Sequence, residues 1–399
     1  MDENRKDISV KEPLDDFSLV AGGPLYRFWR RARLLKPPLD LLIFRIVVTT
    51  LLAWLPLIAL AFVSGNALKG VPVPFLFDLD AHVRFLIALP LLIAAELFVH
   101  RRLRAIVRQF ADRGIVAPEE REKFQNIVDS TLRLRDSVIA ELLMIVLIWT
   151  LGHSIWERRT SLGVATWYAS REGDNIHYTL AGYWYAFGSI PIFQFLLLRW
   201  YYRLAIWWRF LWKASHLDLK LIPTHPDKAG GLGFLGDSAY AFAPVLAAHT
   251  VLFAGIIANR VWHEAASLPE FKLEIAGILA CLLSLAFAPL TAFASTLLKT
   301  KRIGLEEFGK FSQLYVQGFD AKWFRGDAPE TERLLGSSDI QSLADLANGY
   351  EVVQRMRAVP FGKETVFRLA VLLILPFLPL IPTILPVEKI FAAMAHLLL

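Results

Sequence analysis

The sequence predicts an all-α protein, a polytopic transmembrane helical bundle of about seven spans. Hydrophobic residues make up 55% of its 399 residues, above the ~45–50% that is ordinary for soluble domains. They are concentrated in blocks of about 20 residues, the length at which an α-helix crosses a hydrocarbon core ~30 Å thick. Charged residues lie between the blocks, and every second connecting segment is rich in Lys and Arg. These observations favour a membrane protein over a soluble one.

The candidate spans are separated by segments of very different length. They cover residues 41–63, 84–100, 137–156, 179–198, 239–261, 274–298 and 367–386. In the fourth span, Gly188 and Pro191 predict a kink. Four prolines make the seventh irregular, namely Pro376, Pro379, Pro382 and Pro386. The alternative to seven spans is therefore six spans plus a re-entrant last segment.

The distribution of Lys and Arg predicts which segments face the cytoplasm. The positive-inside rule assigns the basic segments to that side, which places the N-terminus there. The chain then divides into a cytoplasmic N-terminal segment 1–40, a transmembrane bundle of about six helices 41–298, a cytoplasmic helical segment 299–365, and a last membrane segment and tail 366–399. Two cytoplasmic stretches interrupt the bundle, a helical insertion at 101–136 and a basic aromatic helix with a glycine-rich loop at 199–237.

The net charge of +6 and the pI of about 9.3 agree with this arrangement. Basic loops beside a bilayer bind anionic lipid headgroups, so we expect the lipid bilayer as a partner and no nucleic acid. Cys281 is the only cysteine, which excludes an intrachain disulfide and a metal site built on several cysteines. We expect no bound metal, no cofactor and no catalytic group.

Three ionisable residues are predicted to lie at one depth inside the bundle. Arg45, Glu96 and Glu141 each fall about one helical turn from the cytoplasmic end of a span. An unpaired charge inside a span costs at least ~2.5 kcal/mol at the bilayer centre and less near its edge. We therefore predict that Arg45 pairs with Glu96 or Glu141, either as a structural ion pair or as a proton or ion gate on the cytoplasmic side.

A histidine near the middle of the fifth span, His249, must face the bundle interior or a cavity. A neutral histidine bonded to a neighbouring helix and a proton relay are the two interpretations of this residue.

The loop between the fourth and fifth spans is a candidate anion-binding loop. It contains His225, Asp227 and Lys228, followed by Gly230, Gly231 and Gly233. Backbone N–H groups of a glycine loop ahead of a helix can bind phosphate. The loop does not match a P-loop, because no Gly-Lys-Ser/Thr follows the glycines. A tight turn packed under the bundle is the alternative.

The fourth span continues into a basic, aromatic helix. At 3.6 residues per turn, one face carries Arg199, Arg203, Arg209 and Lys213. Tryptophans occupy the other face. This pattern is typical of a helix at headgroup level, so we predict that the four basic side chains contact lipid headgroups.

Two cytoplasmic amphipathic helices are also expected. One begins at Pro118 and buries a stripe that includes Phe124, Ile127 and Val128. The second begins with a capping box at Ser338. Its apolar stripe is Ile340, Leu343, Leu346, Tyr350, Val353 and Met356. This stripe packs under the bundle or against a second copy of the chain, so a homo-oligomer is one of the alternatives.

Two segments resemble parts of bacterial polytopic inner-membrane proteins that carry no assigned function. They are residues 225–233, HPDKAGGLG, and residues 335–346, LGSSDIQSLADL. The resemblance implies a multi-pass protein of the cell inner membrane and implies no activity.

Three functions remain open from the sequence. The first is transport of an ion or small solute along Arg45, Glu96, Glu141 and His249. The second is signalling or scaffolding, in which the cytoplasmic helices recruit a partner. The third is an enzyme acting on a phosphate-bearing lipid, with His225, Asp227 and Lys228 as acid, base and charge, although no recognisable catalytic constellation is present.

Overall fold

The computed structural model describes residues 17–383, apart from residues 35, 37–38, 153–165, 173–174, 265, 327–328, 330–331 and 334–336. The end of the last membrane segment and the tail, residues 384–399, and residues 335–336 of the segment 335–346 lie outside these residues. In chain order the helices are α1 (Gly23–Arg31), α2 (Leu42–Val63), α3 (Leu79–Asp112), α4 (Arg121–Arg135), α5 (Val138–Gly152), α6 (Leu180–Ala214), α7 (Asp237–Ala241), α8 (Ala243–His263), α9 (Lys272–Phe287), α10 (Ala294–Phe324), α11 (Ser338–Gln354) and α12 (Lys363–Ile374). The strands are β1 (Ala169–Glu172) and β2 (Asn175–Tyr178).

The predicted all-α membrane bundle is confirmed. Six helical runs of the described chain are long and apolar enough to cross a membrane. They are α2, α3, α6, α8, the run Leu268–Phe324 that contains α9 and α10, and the run Lys363–Thr383 that begins with α12. The third predicted span appears as α5, which is shorter, and its continuation at 153–156 lies outside the described residues.

Two of the long helices are distorted just before a proline. A π-helical turn at Val83–Ala88 precedes Pro90 in α3, and another at Tyr185–Ser189 precedes Pro191 in α6. Proline has no N–H, and its ring would clash with the carbonyl four residues earlier. The wider π turn relieves both problems. The kink expected in the fourth span therefore takes the form of a π turn.

At one end of the bundle, which we call the basic end, helices α3 and α6 extend beyond their apolar portions and pack against α4. Rings from three helices and the glycine loop meet there. The ring centroids of Phe110 and Phe124 are 5.5 Å apart, and those of Phe110 and Phe234 are 5.4 Å apart. The stripe predicted for α4 is buried, with Phe124 3% and Val128 0% exposed. The helical insertion at 101–136 is thus part of the hydrophobic core.

Helices α10 and α11 form a hairpin that projects from the basic end. Leu346 and Val353 of the predicted α11 stripe are buried, and Gly349 lies beside the Phe308 ring of α10. The Tyr315 hydroxyl donates to the Asp339 carbonyl. Helix α10 of the same chain therefore covers Leu346 and Val353 of the stripe, whereas Ile340 is 47% exposed.

The N-cap predicted for this hairpin is wrong by one residue. Helix α11 is capped by Ser337, whose hydroxyl accepts the Asp339 N–H. Asp339 is also bound by Lys322 and by the Trp323 indole of α10. These tertiary bonds fix where the helix begins.

The opposite end of the bundle carries a small hairpin that the sequence analysis did not predict. Strands β1 and β2 pair antiparallel, with Ala169 opposite Tyr178. Trp167, just before β1, is fully buried, and its indole N–H donates to Asp78 at 2.8 Å. Through Trp167, the connection between α5 and α6 is therefore held against the start of α3.

Candidate functional site

The predicted ion pair between Arg45 and Glu96 is present, within a larger cluster of buried charges. Arg45 Nη1 lies 2.6 Å from Glu96 Oε2. Glu96 Oε1 lies 3.1 Å from Arg203 Nη2 and 3.7 Å from Arg199 Nη1. The side chains of Arg45 and Glu96 are 2% and 7% exposed. Glu96 therefore sits among three guanidinium groups from two helices, α2 and α6.

Glu141, the third predicted member, is joined to the cluster through Arg199. Its Oε1 lies 3.3 Å from Arg199 Nε. Its Oε2 accepts the backbone N–H of Leu25 at 3.0 Å, and Asp136 accepts that of Gly23 at 2.7 Å. The first N–H groups of a helix have no intrahelical partner and attract negative charge. These two carboxylates therefore hold the N-terminus of α1 against the cluster.

The prediction that Arg199 and Arg203 contact lipid headgroups is wrong. They are 5% and 4% exposed, and both point to Glu96. Tryptophans of the same helix are also buried, and the Trp200 indole donates to the Leu92 carbonyl. The amphipathic pattern of α6 serves an internal ion network because α3 and α4 cover this helix. Arg209 and Lys213 are half-buried, and their contact with lipid headgroups stays a prediction.

His249 does not belong to the charge cluster. Its Nε2 is 2.6 Å from the Tyr201 hydroxyl, and its Nδ1 is 2.7 Å from the Val245 carbonyl. Tyr201 lies about 200° around α6 from both Arg199 and Arg203 at ~100° per residue. The structure therefore favours the interpretation of His249 as a histidine bonded to a neighbouring helix. It does not favour a transport path shared by His249 and the charge cluster.

A second group of buried charges lies at the opposite end of the bundle, where the sequence analysis missed it. Arg84 Nη2 is 2.6 Å from Asp80, and its Nη1 donates to the Tyr185 hydroxyl at 3.1 Å. Asp78 accepts the Trp167 indole N–H. The four-residue spacing of Asp80 and Arg84 on one helix was the signal for the ion pair. Nothing local indicated that Tyr185 or Trp167 would join it.

Polar side chains occur about one turn apart between the two charge groups. Tyr185 is followed on α6 by Ser189, which is fully buried and donates to the Ala53 carbonyl of α2 at 2.6 Å. One turn from Ala53 lies Thr49, and one turn further lies Arg45. Thr49 is 3% exposed, and its hydroxyl has no hydrogen-bond partner among the described residues. We call the set Arg84, Tyr185, Ser189, Thr49 and Arg45 the polar file.

The glycine loop is a closed turn, which argues against the predicted anion-binding role. The carboxylate of Asp227 accepts the N–H groups of Ala229 at 2.8 Å, Gly231 at 3.2 Å and Gly233 at 2.8 Å. His225 Nδ1 is 2.9 Å from the same carboxylate. The N–H groups expected to hold a phosphate are thus occupied by a side chain of the loop itself.

Positive backbone φ angles at Lys228, Gly230 and Gly231 make this closure possible. The loop is then fixed to the segment after α11. Arg357 donates its backbone N–H to the Lys228 carbonyl at 2.7 Å, and its Nη2 to the Asp227 carbonyl at 2.6 Å. His225, Asp227 and Lys228 therefore serve a packed turn, and the lipid-enzyme hypothesis gains no support from them.

We expect Asp227→Asn to loosen this turn and to remove its dependence on acid pH. Partial burial would raise the pKa of Asp227, but the three N–H bonds and His225 hold the pKa below its ordinary value. The resulting stability is present above the unfolded pKa of ~3.9 and is lost as pH falls through the folded pKa. Amide hydrogen exchange at residues 229–233, compared between pH 6 and acid, measures the effect. Equal protection of wild type and variant at pH 6 would contradict it.

Comparison of the chain with protein-family models, curated proteins and solved structures finds no match.

Proposed function

We propose that this membrane protein transports an ion, with the charge cluster around Glu96 as the gate at its cytoplasmic end. We further propose that it resides in a bacterial inner membrane with its N-terminus in the cytoplasm. The alternation of connecting segments rich and poor in Lys and Arg supports this orientation. The resemblance of residues 225–233 to bacterial inner-membrane proteins supports the location.

The observation that carries the proposal is the polar file between two buried charge groups. Ionisable residues inside spans are costly and face the bundle interior or a pathway. Here five of them, on α2, α3, α5 and α6, are gathered at one level, and Arg84 with Asp80 forms a second level. Well-packed apolar residues of similar volume often stabilise a core as well as buried ion pairs do. Stability alone therefore does not account for the cluster.

Isosteric removal of single hydroxyl groups tests the transport path. We expect Tyr185→Phe to lower ion flux by about tenfold, the effect of losing one hydrogen bond to a charged group. The matched control is Tyr201→Phe, which removes a hydroxyl from the opposite face of the same helix and should leave flux unchanged. Both proteins are reconstituted into liposomes, and proton and chloride fluxes are recorded under imposed gradients.

Wild-type protein that carries neither ion under any gradient would overturn the proposal. Equal loss of flux in the two variants would show that the path does not follow the polar file.

A further inference from the structure

Three guanidinium groups line a small cavity at the basic end of the bundle. Arg135, Arg199 and Arg203 border an internal space of about 10 Å³. The rest of its wall is formed by Glu141, Tyr202 and Gly22 together with the apolar residues Leu19, Met144 and Ile206. A space of this size holds about one water-sized species. The wall thus brings three arginine side chains together beside a small space.

The buried network beside this cavity carries one positive charge more than its carboxylates balance. Arg45, Arg199 and Arg203 surround Glu96 and Glu141, so three guanidinium groups meet two carboxylates. Arg135 is already neutralised by its neighbour Asp136 at 2.6 Å. An uncompensated charge in a low-dielectric interior is strongly unfavourable. A counter-anion in the cavity would remove this cost.

Arg199 has donors that its carboxylate partners do not fully use. Its Nε is 3.3 Å from Glu141 and its Nη1 is 3.7 Å from Glu96. Both distances exceed the ~2.7–2.9 Å of a charge-assisted hydrogen bond. Arg45, by contrast, approaches Glu96 to 2.6 Å. Of the three arginines around Glu96, Arg199 therefore has the longest distances to its carboxylate partners, and it borders the cavity.

We propose that this cavity binds a small monovalent anion, for which chloride is the natural probe. The anion accepts hydrogen bonds from Arg199 and Arg203, and Arg135 closes the site towards α1. The inference deepens the proposed function by naming the class of ion, and its part in transport rests on that function. Binding in the cavity stands independently of transport.

Chloride titration of the purified full-length protein tests the site. Thermal unfolding is followed in detergent while chloride replaces gluconate at constant ionic strength. Since a ligand that binds only the folded state raises its stability with concentration and shows saturable occupancy, we expect chloride-specific stabilisation of the wild type. Identical unfolding curves in chloride and gluconate would overturn the site without any variant.

A matched pair of arginine variants then locates the binding. In Arg135→Gln we expect the chloride concentration for half-saturation to rise about tenfold, because Asp136 loses its partner and stays as an unpaired negative charge beside the cavity. Arg133→Gln, on an exposed position of the same helix, should match the wild type. Equal behaviour of the two variants would place chloride elsewhere and overturn the assignment.

The same titration separates this inference from the proposed function. Chloride-specific stabilisation without ion flux keeps the site and removes its role in transport. Ion flux without chloride-specific stabilisation overturns the site alone.

Discussion

Replacing Glu96 with glutamine is expected to destabilise the protein by ~3–5 kcal/mol, the cost of removing one partner from a buried ion network. The change keeps the shape of the side chain but leaves Arg45, Arg199 and Arg203 facing only Glu141. The free energy of unfolding in mixed micelles measures the loss. The matched control is Glu119→Gln, on an exposed turn, which should change stability by less than ~0.5 kcal/mol.

A second substitution distinguishes charge imbalance from lost packing. If excess positive charge causes the destabilisation, adding Arg45→Gln to Glu96→Gln should recover part of the loss, because contacting residues are not additive. A double variant whose loss equals the sum of the single losses would contradict the network described for Glu96. So would a Glu96→Gln protein as stable as Glu119→Gln.

Gly182→Ala is expected to destabilise the protein by ~3 kcal/mol, the upper part of the range for overpacking. A Cβ atom at this position would lie 1.9 Å from the Tyr168 carbonyl oxygen, which belongs to the backbone. The connection that carries Trp167 must therefore move, and with it the bond from the indole to Asp78. Unfolding free energy together with tryptophan fluorescence measures both consequences.

Gly277→Ala provides the matched control for this change. Gly277 also lies within an apolar helix, but a Cβ there meets nothing within 4 Å. Since alanine is favoured over glycine by ~1 kcal/mol in helix interiors, we expect no loss of stability at Gly277. Similar losses at both positions would show that the close approach at Tyr168 is not what constrains Gly182.

The pairing of Arg45 with Glu96 was predictable because the two residues lie at the same distance from a membrane boundary. The sequence fixes that depth through the length of the apolar blocks, and an unpaired charge at this depth is unfavourable. The same reasoning did not extend to Arg199 and Arg203. They begin a stretch whose basic and aromatic alternation is equally typical of a helix at the membrane surface.

The structure argues against the anion-binding prediction for the glycine loop for a different reason. Its residues do adopt the backbone conformations that glycines permit, as expected. Whether the exposed N–H groups then meet a phosphate or a nearby carboxylate depends on the closure of the turn around Asp227, and Arg357 secures that closure from 130 residues away.

The sequence by itself determined the membrane helices and the stripe of α4, because apolar periodicity and length are local properties of the chain. It also determined the common depth of Arg45, Glu96 and Glu141. Only the tertiary structure decided which charges meet, that α6 lies inside the bundle, that α10 covers Leu346 and Val353 of α11, and that Trp167 binds Asp78 at the opposite end. These outcomes depend on contacts between residues far apart in the chain, and the free energy of each depends on what surrounds it after packing.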